Sequence, residues 1–207
     1  MNASDILTKQ EIKTVLSDLD RRARRSVSSR MNLTIFRLAC CCGLRRKEIC
    51  GLTMADFILS GPRPALRIRK ENTKGRVGKR KSRRVPLDWD AKTREDLKIW
   101  HDYRRAVDFA QPSDPFICGR SPTSKGKHLI ESLVAKRWRT AIKVLGAERL
   151  RQLSVHKGRH TFISHALHAG HSLTAVRDAA GHSNVQTTNI YLHTLDRPNL
   201  PDVFGST

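Results

Sequence analysis

Gly181-His182-Ser183-Asn184-Val185-Gln186-Thr187-Thr188-Asn189-Ile190-Tyr191 sets a tyrosine nine residues after a histidine, near the end of a 207-residue chain. Upstream lies His156-Lys157-Gly158-Arg159-His160-Thr161, and far upstream Gly43-Leu44-Arg45-Arg46-Lys47-Glu48-Ile49. In that order the three blocks bring together one tyrosine, two histidines and two arginines. Such side chains can hold a phosphodiester and attack it. Attack needs an in-line nucleophile, cations for the transition-state charge, a proton donor for the leaving oxygen and a way to deprotonate the nucleophile.

Arg45 and Arg159 are the expected phosphate clamps. An arginine stays charged, and its planar fork fits two non-bridging oxygens, which a lysine does less well. In a chain this basic most arginines are surface charge. Arg45 stands apart because Gly43 and Leu44 precede it and Glu48 and Ile49 follow, and Arg159 because it lies three residues after His156. Tyr191, as a phenol, is mostly protonated at neutral pH and must lose its proton as it attacks. A phosphotyrosyl ester would keep the bond energy, so rejoining would need no cofactor and no metal.

Seven of the nine histidines lie between His156 and His193, and His156 and His160 are one helical turn apart, which invites a zinc reading. No cysteine or carboxylate at matching spacing completes such a site. Cys40, Cys41 and Cys42 are consecutive and cannot share one metal with ordinary ligand spacing. With Cys50 and Cys118 the count is odd, and the reading is reduced thiols packed as small apolar groups.

Composition narrows the partner. The net charge is +21 and the pI about 10.8, which attracts polyanions, nucleic acid before membrane, since no basic amphipathic helix with an aromatic face stands out. Hydrophobic content of 38% suits a globular core, and no run approaches the roughly 18 apolar residues of a membrane span. Met1-Asn2-Ala3-Ser4-Asp5 has no apolar signal core, so the expected location is the cytoplasm, at the nucleoid.

The expected fold is mainly α with a small antiparallel β-sheet. Thr8-Lys9-Gln10-Glu11 reads as a capping box opening a helix with Ile12, Val15, Leu16 and Leu19 on one side. Residues 21–30 read as a basic connector. A second helix is expected over residues 30–42, burying Leu33, Phe36, Ala39 and Cys40 and capped by Gly43. A helical segment over residues 46–52 then leaves Arg45 in the turn before it. Residues 65–69 and 83–87 read as strands. The span 67–84, which includes their connection, holds ten basic residues and one acidic one. Arg76, Lys79, Arg80, Lys81 and Arg83 are expected to press on a duplex. Further helices are expected near residues 90–108, 128–145 (inner face Leu129, Leu133, Trp138, Ala141 and Leu145), 158–169 and 172–180, with a short strand at residues 114–118.

The blocks, from about residue 30 to Tyr191, resemble the tyrosine recombinase (phage integrase) family. The resemblance implies that family's catalytic-domain fold and a site of Arg45, Lys74, His156, Arg159, His182 and Tyr191. It makes Tyr191 the nucleophile, His156 an aid to proton transfer, His182 a hydrogen-bond donor to the scissile phosphate, and Lys74 the proton donor to the departing 5′ oxygen. Lys70, Lys79 and Lys81 compete for that last role, and Lys74-Gly75 matches the family pattern best. Glu48 is read as supporting the fold. The implied activity is site-specific recombination of double-stranded DNA through a 3′-phosphotyrosyl intermediate and a Holliday junction. A homotetramer on paired sites, with an accessory DNA-binding protein, is implied as well.

Two departures stand out. Gly158 occupies a place where the family commonly has a larger apolar residue, which is expected to loosen the start of its helix. Residues 1–29 read as an N-terminal helix and basic connector of the same domain, residues 30–191 as the catalytic domain and residues 192–207 as a tail. That organisation resembles the short single-domain recombinases, such as the fimbrial-switch invertases, or a fragment of a longer integrase. The other readings are type IB topoisomerase-like relaxation and a non-catalytic basic DNA-binding protein.

Overall fold

The computed structural model describes residues 6–73, 81–182, 184, 186–189 and 191. Helix α1 (Lys9–Ala23) opens on the expected capping box: Glu11 N–H donates to Thr8 Oγ1 at 3.1 Å, and Thr8 N–H to Glu11 Oε2 at 2.8 Å. The chain just before it is buried against a distant helix. Leu7 N–H donates to Thr161 Oγ1 at 3.0 Å, and the Leu7 carbonyl pairs with His165 Nε2 at 2.8 Å.

Helix α2 (Val27–Phe36) starts at a Ser26 cap, so the connector is shorter than residues 21–30. Ser26 accepts from Ser29 N–H, a local alternative to a basic loop. The helix continues as a π-helical turn, Arg37–Cys41, and stops at Gly43, whose φ is +67°. No side chain fits there, because a Cβ on Gly43 would lie 2.4 Å from the Phe162 ring. Leu33, Phe36, Ala39 and Cys40 are buried as expected, and all five cysteines are free thiols. Arg37 is buried too. It reaches Asp96 at 2.7 Å and Thr93 at 3.2 Å, and so fixes α2 to α4 (Ala91–Ala106). A buried charge of this kind is tolerable only when paired and hydrogen-bonded.

After α3 (Arg46–Cys50) comes a three-stranded antiparallel sheet in the order β1-β2-β3: β1 (Phe57–Ile58), β2 (Ala65–Ile68) and β3 (Arg83–Pro86). Leu66 faces Phe57 on one side and Val85 on the other, which fixes the register that buries all three. The short β1 was not foreseen, since two residues carry no alternation to read. The expected strand at 114–118 is absent. Pro115 has no N–H for a ladder, and the segment instead makes isolated bridges, Thr53 with Pro115 and Cys118 with His128.

The remaining helices are α5 (Glu131–Ala141), α6 (Gly146–Gln152), α7 (Val155–His168), α8 (Leu173–Ala180) and the short α9 (Gln186–Asn189). In α5 the buried stripe is Val134, Trp138 and Ala141, and Leu133 is exposed, contrary to expectation. The helix begins at residue 131, and from there only the 134, 138, 141 spacing faces inward.

Gly158 does not loosen α7. The helix starts three residues earlier, and Gly158 is the point at which it meets α5 and the π turn. A Cβ there would sit 2.7 Å from the Trp138 ring and 3.3 Å from Ala39 Cβ. Trp138 stacks on Phe36 at 5.4 Å and donates from Nε1 to the Leu153 carbonyl at 3.0 Å.

The apolar interior is in two parts. The larger runs from Leu7 through α2, the sheet, α4 and α5 to Val155. The smaller gathers Phe162, Ile163 and Ala166 of α7, Val176, Ala179 and Ala180 of α8, and Tyr191, with Trp89 and Leu167 against it. Among the described residues no helix is long and apolar enough to cross a membrane.

Candidate active site

Arg45 sits in the turn between the π-helical end of α2 and α3, at the N-cap of α3. Glu48, three residues on, accepts from the Arg45 backbone N–H at 2.8 Å and from its guanidinium at 3.0 Å. Glu48 is fully buried and takes two further bonds from Arg83, at 2.7 and 3.0 Å. Burial alone would raise its pKa, but the Arg83 fork and the charge of Arg45 more than offset this and hold it low.

Arg83 was expected among the duplex-facing cations. Its side chain is only 8% exposed, and it is committed within the protein to Glu48 and, from Nε, to the Ala179 carbonyl at 2.8 Å. It thereby ties the end of α8 to the Arg45 turn. Gly181 lies directly over it, in the left-handed region with φ of +68°, and a Cβ there would strike the Arg83 stem at 2.7 Å. Only glycine meets both demands, which explains the Gly-His pair.

Arg159, on α7, is 1% exposed. Nη1 donates to the Gly43 carbonyl at 2.8 Å, while Nη2 is buried with no hydrogen-bond partner among the described residues. Burial, then repulsion from Arg45, lowers its pKa to about 9, which leaves it charged at neutral pH. His182 bonds through Nδ1 to Thr188 Oγ1 at 2.8 Å. Burial, with Arg159, Arg45 and Arg83 nearby, lowers it to about 4, so it is neutral at physiological pH.

Tyr191 closes the group. It is 4% exposed, with its ring 6.3 Å from His182 and 5.4 Å from His160. Its hydroxyl is hydrogen-bonded to His160 Nδ1. Burial raises the phenol pKa, and the charges of Arg159 and Arg45 oppose that rise. His156 lies one turn before His160, their rings edge to face at 4.4 Å. It also lines a cleft with Arg46, Arg139, Arg151 and Ser154.

The structure thus gathers Arg45, Arg159, His182 and Tyr191 around one partly buried, strongly positive centre, with His156 at its side. Lys74, Arg76, Lys79 and Arg80 lie outside the described residues, and Lys81 is exposed at the foot of β3. His160 and Arg83 were not foreseen as parts of the site. A signal for His160 existed: its i, i+4 spacing from His156 puts both rings on one helix face. No group of three or more metal-ligating side chains occurs among the described residues.

A buried arginine, a half-buried one and a buried tyrosine thus meet on a mainly helical scaffold with a three-stranded antiparallel sheet. The sequence pattern of the phage integrase family matches residues 5–197, and the chain belongs to that family. A tyrosine recombinase XerC from Actinobacillus pleuropneumoniae is 32% identical over 176 residues, covering 84% of this chain and 51% of the relative. The XerA recombinase structure superposes with a TM-score of 0.71 at 21% identity, over 92% of this chain and 59% of that one. The XerH site-specific recombinase, solved bound to a palindromic difH substrate in a post-cleavage complex, gives a TM-score of 0.68 at 25% identity, over 91% of this chain and 49% of that one. The chain spans about half the length of the curated relatives it matches.

Proposed function

We propose that this chain carries the catalytic centre of a site-specific DNA recombinase. The observation that carries the reading is the buried Arg159 Nη2, without a hydrogen-bond partner among the described residues, in the same positive centre as the Tyr191 ring. A buried guanidinium nitrogen left without an acceptor is costly unless an anion completes it. A phosphate oxygen from DNA supplies that anion.

In this reading Arg45 and Arg159 donate to the non-bridging oxygens, with Glu48 and Gly43 setting their orientation. Neutral His182, its Nδ1 paired with Thr188, adds a hydrogen bond from its other ring nitrogen, and His156, packed edge-on against His160, assists proton transfer beside the clamp. Tyr191 Oη bonds to phosphorus and the bond to the 5′ oxygen breaks. Lys74 gives that oxygen its proton, leaving a 3′-phosphotyrosyl ester and a free 5′ hydroxyl. A 5′ hydroxyl from a second site reverses the step, which exchanges strands through a Holliday junction. The support for double-stranded DNA as partner is the net charge of +21 together with the similarity to a site-specific recombinase solved on its palindromic difH substrate. Assembly as a homotetramer on paired sites, help from an accessory DNA-binding protein and action at the nucleoid belong to the same proposal.

The test is a nicked suicide duplex made from the host element's own ends. The protein should become covalently attached, and the attached peptide should contain Tyr191. Tyr191→Phe should bind the duplex and form no adduct. Attachment at Tyr103, whose hydroxyl accepts from Arg120 at 3.1 Å, would overturn the assignment. Junctions accumulating on paired sites separate strand exchange from simple relaxation.

A further inference from the structure

The phenol needs somewhere to send its proton, and the groups around it differ sharply in their fitness to take it. Glu48, the carboxylate of the site, has both oxygens engaged by Arg45 and Arg83. His182 has Nδ1 committed to Thr188, and its surroundings resist a positive charge. Arg45 and Arg159 are cations with no acceptor. His160 Nδ1 already holds the Tyr191 hydroxyl, and it comes from the helix turn right after Arg159. The burial that raises the phenol's pKa makes attack without a base slow at neutral pH.

We propose that His160 positions the Tyr191 hydroxyl and takes its proton as the oxygen attacks phosphorus. The inference rests on the strand-cleavage reading above and adds a residue to it. In the forward step the Oη–H bond breaks and the proton passes to Nδ1. The Oη–P bond forms and the P–O5′ bond breaks, with Lys74 protonating the 5′ oxygen. In the reverse step the imidazolium returns its proton to the departing phenolate. This requires the free protein to hold His160 with the proton on Nε2, so that Nδ1 accepts from the hydroxyl. His156, edge-on to the same ring, packs it in place.

Two variants and a tyrosine analogue test proton transfer by His160. In His160→Asn the short amide reaches the Nδ1 position and accepts the same hydrogen bond, but cannot take a proton. His160→Ala does neither. Single-turnover cleavage of the suicide duplex should fall by about 10²–10⁴-fold in both, the usual worth of a general base, with duplex affinity unchanged. A fluorinated tyrosine of lower pKa at position 191 should recover about tenfold or more of the His160→Asn loss. Wild-type rates in His160→Asn, or no recovery with the fluorinated phenol, would overturn the proposal. Nitrogen NMR of the DNA-free protein gives a readout independent of cleavage. His160 should be the Nε2–H tautomer, with an Nδ1 resonance that shifts in Tyr191→Phe. A neutral ring protonated on Nδ1, or no response to Tyr191→Phe, also overturns it. A wild type that shows the NMR signature yet never attaches to DNA would instead refute the strand-cleavage reading, and the base role with it.

Discussion

Arg159 has two tasks in one guanidinium. Nη1 holds the Gly43 carbonyl, and Nη2 has no acceptor among the described residues. Truncation to alanine would therefore confuse catalysis with folding, because it strips a buried carbonyl of its donor. Arg159→Lys is cleaner: it keeps the charge and loses the fork. Suicide-substrate cleavage should drop by about 10²–10³-fold, the usual cost of removing one preorganised donor, while duplex affinity holds. Parallel losses in binding and cleavage would make Arg159 an ordinary phosphate contact. Lys74 poses a different question, because its role comes from family resemblance alone. A 5′-bridging phosphorothioate has a sulfur that leaves without a proton. Lys74→Ala should be slow on normal DNA and largely restored on this substrate. Rescue of Lys79→Ala or Lys81→Ala instead would move the role to another lysine and keep the mechanism.

Elements with a strong local code were legible from sequence. The Thr8–Glu11 capping box, the Gly43 stop and the helix around Leu33 and Phe36 rest on side-chain-to-backbone bonds and on period, which a sequence displays. That Arg45, Arg159, His182 and Tyr191 belong together was legible through the order and spacing of three blocks that resemble the tyrosine recombinase family. What was not readable depends on partners far along the chain. Arg83 looked like one more hairpin cation until Glu48 and the Ala179 carbonyl enclosed it. From its spacing to His156 alone His160 invites a zinc reading, because its hydrogen-bond partner lies 31 residues away. Gly158 looked like a weak point in a helix, and only the Trp138 ring explains it. Gly158→Ala tests that account. Helix propensity alone predicts stabilisation by roughly 1 kcal/mol. The 2.7 Å approach to Trp138 predicts destabilisation of about 1–3 kcal/mol, as for other overpacked cores. Chemical denaturation gives the sign, and a stabilised variant would refute the packing argument.

At the scale of the whole molecule, the division of the interior into two clusters has a consequence for how the protein comes apart. Trp100 and Trp138 belong to the larger cluster, and Trp89 lies against the smaller one, stacked on Phe162 at 5.9 Å and on His171 at 4.0 Å. The smaller cluster is built from few side chains and holds Tyr191, so it should open at lower free energy than the rest. Native-state hydrogen exchange should show this: amides of α8 should exchange through a local opening, while those of α2 wait for global unfolding. Equal opening energies in the two helices would mean a single cooperative unit. With a separate, weaker unit, the tyrosine could leave its seat and return while the arginine turn, anchored in the larger cluster, keeps its shape. The protein would then carry a detachable nucleophile on a scaffold that does not have to melt to release it.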